Sequence, residues 1–200
     1  MVAYATTLPT TPTRLTSGTV AAVVPVSTCS LTSSADTYAN GALLSTGTNF
    51  GGATTLQVRS DTLGNKRTFV AFDLASCAIP GLARVLTSSL SLYLATTPTS
   101  SRTYELHRVT AGWTQSGLTW SNQPATTGTA TASFGTGSTG GVTLSMNVLT
   151  DVSAFVAGGA TNNGWRIKDQ TEGDLLAAGE GRFSSREGST PPALVVTYYP

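Results

Sequence analysis

The sequence predicts an all-β fold: an antiparallel two-sheet jelly-roll β-sandwich, entered by an extended N-terminal arm. Three observations predict it. β-Branched and small residues dominate nearly everywhere, a composition suited to a pleated, half-buried surface. Stretches with the Leu/Glu/Lys composition and period of a long helix are absent. Short segments alternate apolar with polar residues between turn-rich connections, roughly every ten to fifteen residues, the rhythm of a sandwich. A chain of 200 residues with this pattern forms one unit rather than two.

Residues 1–30 read as the arm. They are rich in Thr and Pro, and the prolines at 9, 12 and 25 remove backbone donors, so this segment cannot be a central strand along its whole length. Its most strand-like piece, residues 19–27, offers Val20, Val24 and Val26 as side chains able to fill pockets while the backbone pairs with an open sheet edge. Residues 31–200 form the sandwich. Val70, Phe72 and Leu74 share one face, as do Leu90, Leu92 and Leu94, and then Val142, Leu144, Met146 and Val148, each a period-two set with one side buried. Tyr104, Leu106 and Arg108 oppose Glu105, His107 and Val109; Trp165 and Ile167 oppose Arg166 and Lys168; Leu194, Val196 and Tyr198 close the chain. Such one-sided strands need a second sheet to cover them. Residues 151–157 predict one or two helical turns capped by Thr150, with Val152, Phe155 and Val156 on one side.

Composition narrows the function. Charged residues make up 10% of the chain, the hydrophobic class 40%, and the net charge is +1. Such a surface is neutral and hydroxyl-rich, without the basic patch that holds nucleic-acid phosphates. No apolar run approaches the roughly 20 residues that cross a bilayer. Residues 1–9 lack the basic start and apolar core of a secretory signal, an expectation that leans toward assembly without that route, unless a signal was removed. Cys29 and Cys77 are the only cysteines. They form either a disulfide tying the arm to the sandwich, in which the closed loop gives roughly 4 kcal/mol, or two buried free thiols.

Residues able to do chemistry are sparse. His107 is the only histidine, so neither a triad nor a metalloprotease pair can be assembled; with Glu105 it reads as a surface hydrogen bond, and the protein as no enzyme. Asp169, Glu172 and Asp174 offer hard oxygen ligands in a Gly-bearing loop, but their spacing does not match an EF-hand; no metal and no cofactor are assigned. Trp113 and Trp120 bracket a turn. They read first as the clamp of a long loop and second as a platform on which a sugar ring stacks. Arg59, Lys66, Arg67, Arg166, Lys168 and Arg186 read first as partners of nearby carboxylates and second as a basic face for carboxylated sugars.

Several segments together carry a family resemblance: Ala35-Asp36-Thr37-Tyr38; Asn49-Phe50-Gly51 followed by residues 55–59; residues 67–74; Trp113-Thr114-Gln115 with residues 118–124; Asn163-Gly164-Trp165; and residues 183–187 before Pro191-Pro192. From about residue 31 to 198 the chain resembles the DNRLRE-type jelly-roll family, related to carbohydrate-binding module family 96. The resemblance implies a non-catalytic module of the kind attached to extracellular enzymes, cell-surface proteins and phage structural proteins, some of which bind acidic polysaccharides such as alginate. Two functions are expected from this. The first is a structural subunit of a multi-copy surface assembly, either a phage virion component or an extracellular filament, whose arm docks on a neighbouring copy or another assembly protein. The second is a carbohydrate-binding module for acidic polysaccharide. Both place the protein at an extracellular surface or in a virion.

Overall fold

Alternation becomes strand wherever the sequence offers a period of two. The computed structural model describes residues 25–96, 98, 100–174 and 179–200. Among them are the antiparallel strands β1 (Ser27–Thr32), β2 (Ala35–Asn40), β3 (Thr55–Arg59), β4 (Lys66–Ala71), β5 (Arg84–Thr96), β6 (Thr103–Arg108), β7 (Ala132–Gly135), β8 (Val142–Asn147), β9 (Trp165–Asp169), β10 (Glu180–Ser184) and β11 (Ala193–Tyr199), with one α-helix, α1 (Leu149–Val156).

The ladder runs β1-β11-β5-β10-β3-β4-β9-β6-β7, with β2 added to β4 and β8 to β5. β3 meets β4 through a single residue pair, Arg59 with Lys66, and there the sheet curls over on itself to make an all-β sandwich. The two layers share one core. Leu90, Leu92 and Leu94 of β5 and Leu194 and Val196 of β11 meet Val70, Tyr104, Leu106, Trp165 and Ile167 from the other layer, all fully buried. Tyr104 reaches β3 and β10: its hydroxyl donates to the Val58 carbonyl at 3.2 Å and accepts the Gly181 N–H at 2.9 Å. With both hydroxyl roles satisfied, its burial costs little, and burial holds the phenol well above its ordinary titration range.

Three local expectations change. Leu74 does not extend β4, because the chain leaves the sheet after Ala71 and turns into a short 3-10 helix, Leu74–Cys77, capped by the Asp73 carboxylate on the Ala75 N–H. The α-helix begins at Leu149, so Thr150 lies inside it; the side chain of Asn147 accepts the Leu149 N–H at 2.9 Å and satisfies the exposed end. Its apolar side is as expected, with Val152 buried and Phe155 and Val156 packed on the core. Thirdly, β1 starts at Ser27 and pairs all along its length with β11, so residues 27–30 form an edge strand.

Within β1, Cys29 is bridged to Cys77 of the 3-10 helix across a separation of 48 residues. The bridge fastens the edge strand to the body of the sandwich, contributing within the usual range of about 2–4 kcal/mol.

Candidate functional site

The outward face of the β2-β4-β9-β6-β7 layer collects the chemistry. On β4, Val70 points to the core and Phe69 packs in a second apolar cluster on the opposite side, so Arg67, two residues earlier, also faces outward. The same alternation turns Arg166 and Lys168 of β9 and Glu105 and His107 of β6 away from the core. Register then sets the neighbours. Phe69 pairs with Arg166, and Arg166 with His107, while Glu105 pairs with Lys168.

A long loop, residues 110–124, folds over part of this face. Leu118 joins Ala39, Phe69 and Val109 in the second cluster, with Trp113 and Trp120 packed against it. Polar anchors hold the loop down. The Asn49 amide donates to the Gln115 and Leu118 carbonyls, both at 2.7 Å, the Gln115 amide donates to the Gly51 carbonyl at 2.6 Å, and the Trp113 indole N–H donates to the Asn163 carbonyl at 2.8 Å. These bonds join Asn49, Gly51, Trp113, Gln115 and Asn163 into one network around the loop.

The electrostatics are uneven. Arg67 is fully engaged: it forks onto Glu172 with two bonds of 2.7 Å, reaches Gln123 at 3.2 Å, and lies 4.6 Å from the centroid of the Trp120 ring. Gly41 presses on the same indole, where a Cβ would come within 2.8 Å of two ring carbons. Trp120 is therefore a platform for Arg67. Lys168 contacts Glu105 at 2.9 Å, and His107 contacts the same carboxylate at 3.1 Å. The hydrogen bond from Lys168 holds the Glu105 carboxyl below its ordinary value, with His107 helping. Arg166 is the exception. Half-buried, its Nε is sealed from solvent without an acceptor, and it has no hydrogen-bond or ion-pair partner among the described residues. Burial, and then the nearby Arg67, push its pKa below the usual guanidinium value. Beside this row, Trp113 and Leu118 line an open cleft of about 480 Å³ with Thr114 and Asn122.

Of the residues singled out from sequence, the structure thus gathers Arg67, Arg166, Lys168, Trp113 and Trp120. Arg59 lies at the β3–β4 hairpin on the Gly64 carbonyl and Asp61. Lys66 is held by Gln57 and Glu180, both at 2.5 Å, on the other side of β4. Arg186 donates to the Ser34 carbonyl at 2.6 Å and to Gln115 at 3.2 Å. Glu105, His107, Gln123 and Glu172 complete the face; alternation along β6 could have placed the first two, but nothing local announces the reach of Glu172 to Arg67. No group of three or more His, Cys, Asp or Glu able to hold a metal occurs among the described residues: Asp169 is taken by Arg102 and Glu172 by Arg67. Val20 and Val24 of the arm lie outside the described residues, and Val26, half-exposed, immediately precedes β1.

Arg186 also takes part in a buried knot that positions the loop. Asp36 is 1% exposed; its Oδ2 accepts the Ser33 hydroxyl and the Arg186 N–H, both at 2.8 Å, while Oδ1 has no partner among the described residues. The Asp36 N–H donates to Gln115 at 3.1 Å. Burial raises the Asp36 carboxyl from 3.8 to about 6, against the pull of its two hydrogen bonds. A raised pKa favours the protonated form in the folded state, so this contribution to stability is complete below pH 3.8 and is lost as pH rises through 6. The expected result is that Asp36→Asn, which keeps an acceptor and removes the charge, improves relative to wild type by about 2–3 kcal/mol between pH 4 and 7. Urea unfolding at the two pH values measures it; a pH-independent difference would contradict the assignment.

The chain matches no curated protein sequence. The family comparison is decisive on its own, because the description of carbohydrate-binding module family 96 fits residues 27–198, nearly the whole chain. The segments that build the outer face and its loop all lie within that span, and the protein belongs to carbohydrate-binding module family 96.

Proposed function

We propose that the outer face of the β2-β4-β9-β6-β7 layer binds a carboxylated polysaccharide, with Arg166 as its anchor. Of the two functions expected from sequence, the family match supports carbohydrate binding. The observation that carries the site is Arg166: it is partly withdrawn from water, its Nε is sealed from solvent, and it has no acceptor among the described residues. A buried N–H without an acceptor is costly, and the outer edge of the guanidinium can take a sugar carboxylate with two parallel bonds. Arg67 and Lys168 already hold carboxylates and supply field rather than vacant donors. Three cations against two carboxylates leave the face one positive charge in excess. Trp113 and its cleft offer an apolar wall where the face of a neighbouring ring can rest. Extracellular surfaces are where such polymers occur, and the module acts there by adhesion, without turnover.

Affinity electrophoresis against neutral and acidic polysaccharides tests this directly. Wild type is expected to be retarded by polyuronates and not by neutral glucans. Arg166→Gln is expected to lose at least about tenfold in affinity, the scale of one charge-assisted bidentate contact. Arg59→Gln, which removes a cation held at the β3–β4 hairpin away from this face, is expected to bind as wild type. Equal retention of wild type and Arg166→Gln, or no retention by any polyuronate, would reject the site.

A further inference from the structure

His107 is 4% exposed and sits one strand from Arg166, directly paired with it across β6 and β9. Both of its ring nitrogens touch oxygens. Nδ1 lies 3.0 Å from the Thr127 carbonyl and Nε2 lies 3.1 Å from the Glu105 carboxylate. A carbonyl can only accept a hydrogen bond, and so can an ionised carboxylate. Neutral imidazole has one N–H and can satisfy only one of them; the imidazolium satisfies both.

We infer that His107 sets the affinity of this face for carboxylated ligands through its own charge, with the imidazolium form as the binding form. The inference rests on the carbohydrate-binding reading of the Arg166 face. Glu105 on the same strand is in direct contact with the ring, Arg166 on β9 is its cross-strand neighbour, Lys168 on β9 is paired with Glu105, and Arg67 on β4 is offset by Glu172. β7 places the neutral Ser133 opposite Glu105. The lowered Glu105 carboxyl keeps an anion available to the ring.

Deprotonation changes two things in one direction. The Thr127 carbonyl retains the Nδ1 proton, so Nε2 turns a lone pair on the Glu105 carboxylate. The positive charge behind Arg166 is lost, and Glu105 is left to Lys168 alone, which neutralises that cation more completely. The excess of positive charge on the face falls from two to one, while a uronate carboxylate stays ionised across the whole window.

The test pairs a spectroscopic readout with a binding one. His107 is the only histidine, so its ring resonances in long-range 15N–1H spectra need no assignment by mutation. Calorimetric titration with oligogalacturonate at fixed salt, from pH 5.5 to 8.5, gives the affinity. Expected are a ring protonated at both nitrogens at the acidic end and an affinity falling about three- to tenfold as pH rises, with His107→Gln flat over the range. A ring that stays a single neutral tautomer throughout overturns the inference, on wild-type protein alone if the variant does not fold. A ring that titrates while wild-type affinity stays constant overturns it too, and leaves the Arg166 site standing. No binding at any pH rejects the carbohydrate-binding face and this regulation with it, whatever the ring does.

Discussion

Gly164→Ala is expected to destabilise the protein by about 4–6 kcal/mol, lowering the melting temperature by about 10–20 °C for a chain of this length. Gly164 has φ +75, in the left-handed region, where an L side chain costs about 1–2 kcal/mol. The larger part is steric. A Cβ at this position would overlap the Val70 carbonyl oxygen and press on the Ala71 Cα, because the chain enters β9 flush against the end of β4. Relief requires pulling the Val70–Trp165 pair apart. That shift would also disturb the Gly164 carbonyl, which accepts the Val109 N–H at 2.9 Å, and draw the fully buried Trp165 away from Asp151, which its indole N–H meets at 2.8 Å. Gly158 separates the two causes, since it too is left-handed at φ +70, but a Cβ there meets nothing within 4 Å. Gly158→Ala is expected to cost only about 1 kcal/mol. Chemical denaturation of both variants decides the matter, and similar losses would show that backbone conformation, not close approach, sets the requirement at Gly164.

The contrast between these glycines shows what a sequence of this kind discloses. The alternation of Leu90, Leu92 and Leu94, or of Trp165 and Ile167 against Arg166 and Lys168, is local information, and it placed these strands and their inward sides correctly. It also placed Arg166 and Lys168 on one polar face. It could not say that Arg67 would take Glu172, 105 residues away, that Lys66 would take Glu180 on the other side of β4, or that Arg166 would find no acceptor among the described residues. Which carboxylate each cation finds depends on strand order, and strand order is not written in any one segment. The same limit explains Leu74, whose apolar side chain continues the rhythm of Val70 and Phe72 while Asp73 caps a turn that ends the strand. It explains Arg108 as well, which sits on the core side of β6 by alternation because Asp151 of α1 is 3.5 Å away to receive it.

Arg102→Ala is the second large effect, at about 3–5 kcal/mol. Arg102 precedes β6 and forks onto Asp169 at the end of β9, with bonds of 2.8 and 2.7 Å; the carboxylate side chain is 1% exposed and the guanidinium 12%. Removing the cation leaves Asp169 with the Thr171 N–H at 2.9 Å and the Thr171 hydroxyl at 3.2 Å, too little to hold a buried negative charge. If the cost is that stranded charge rather than lost packing of the arginine stem against Gly179, neutralising the partner should recover much of it. The double variant Arg102→Met/Asp169→Asn is accordingly expected to be at least about 2 kcal/mol more stable than Arg102→Met alone. Arg182 provides the opposite case. Its side chain is 51% exposed in its contact with Glu180, and Arg182→Ala is expected to cost less than about 1 kcal/mol. A double variant no more stable than the single one would assign the loss to packing. The Arg102–Asp169 pair ties the start of β6 to the end of β9, the two strands that carry Glu105, His107, Arg166 and Lys168, so loosening it should weaken polyuronate retention under conditions where the variant is still folded.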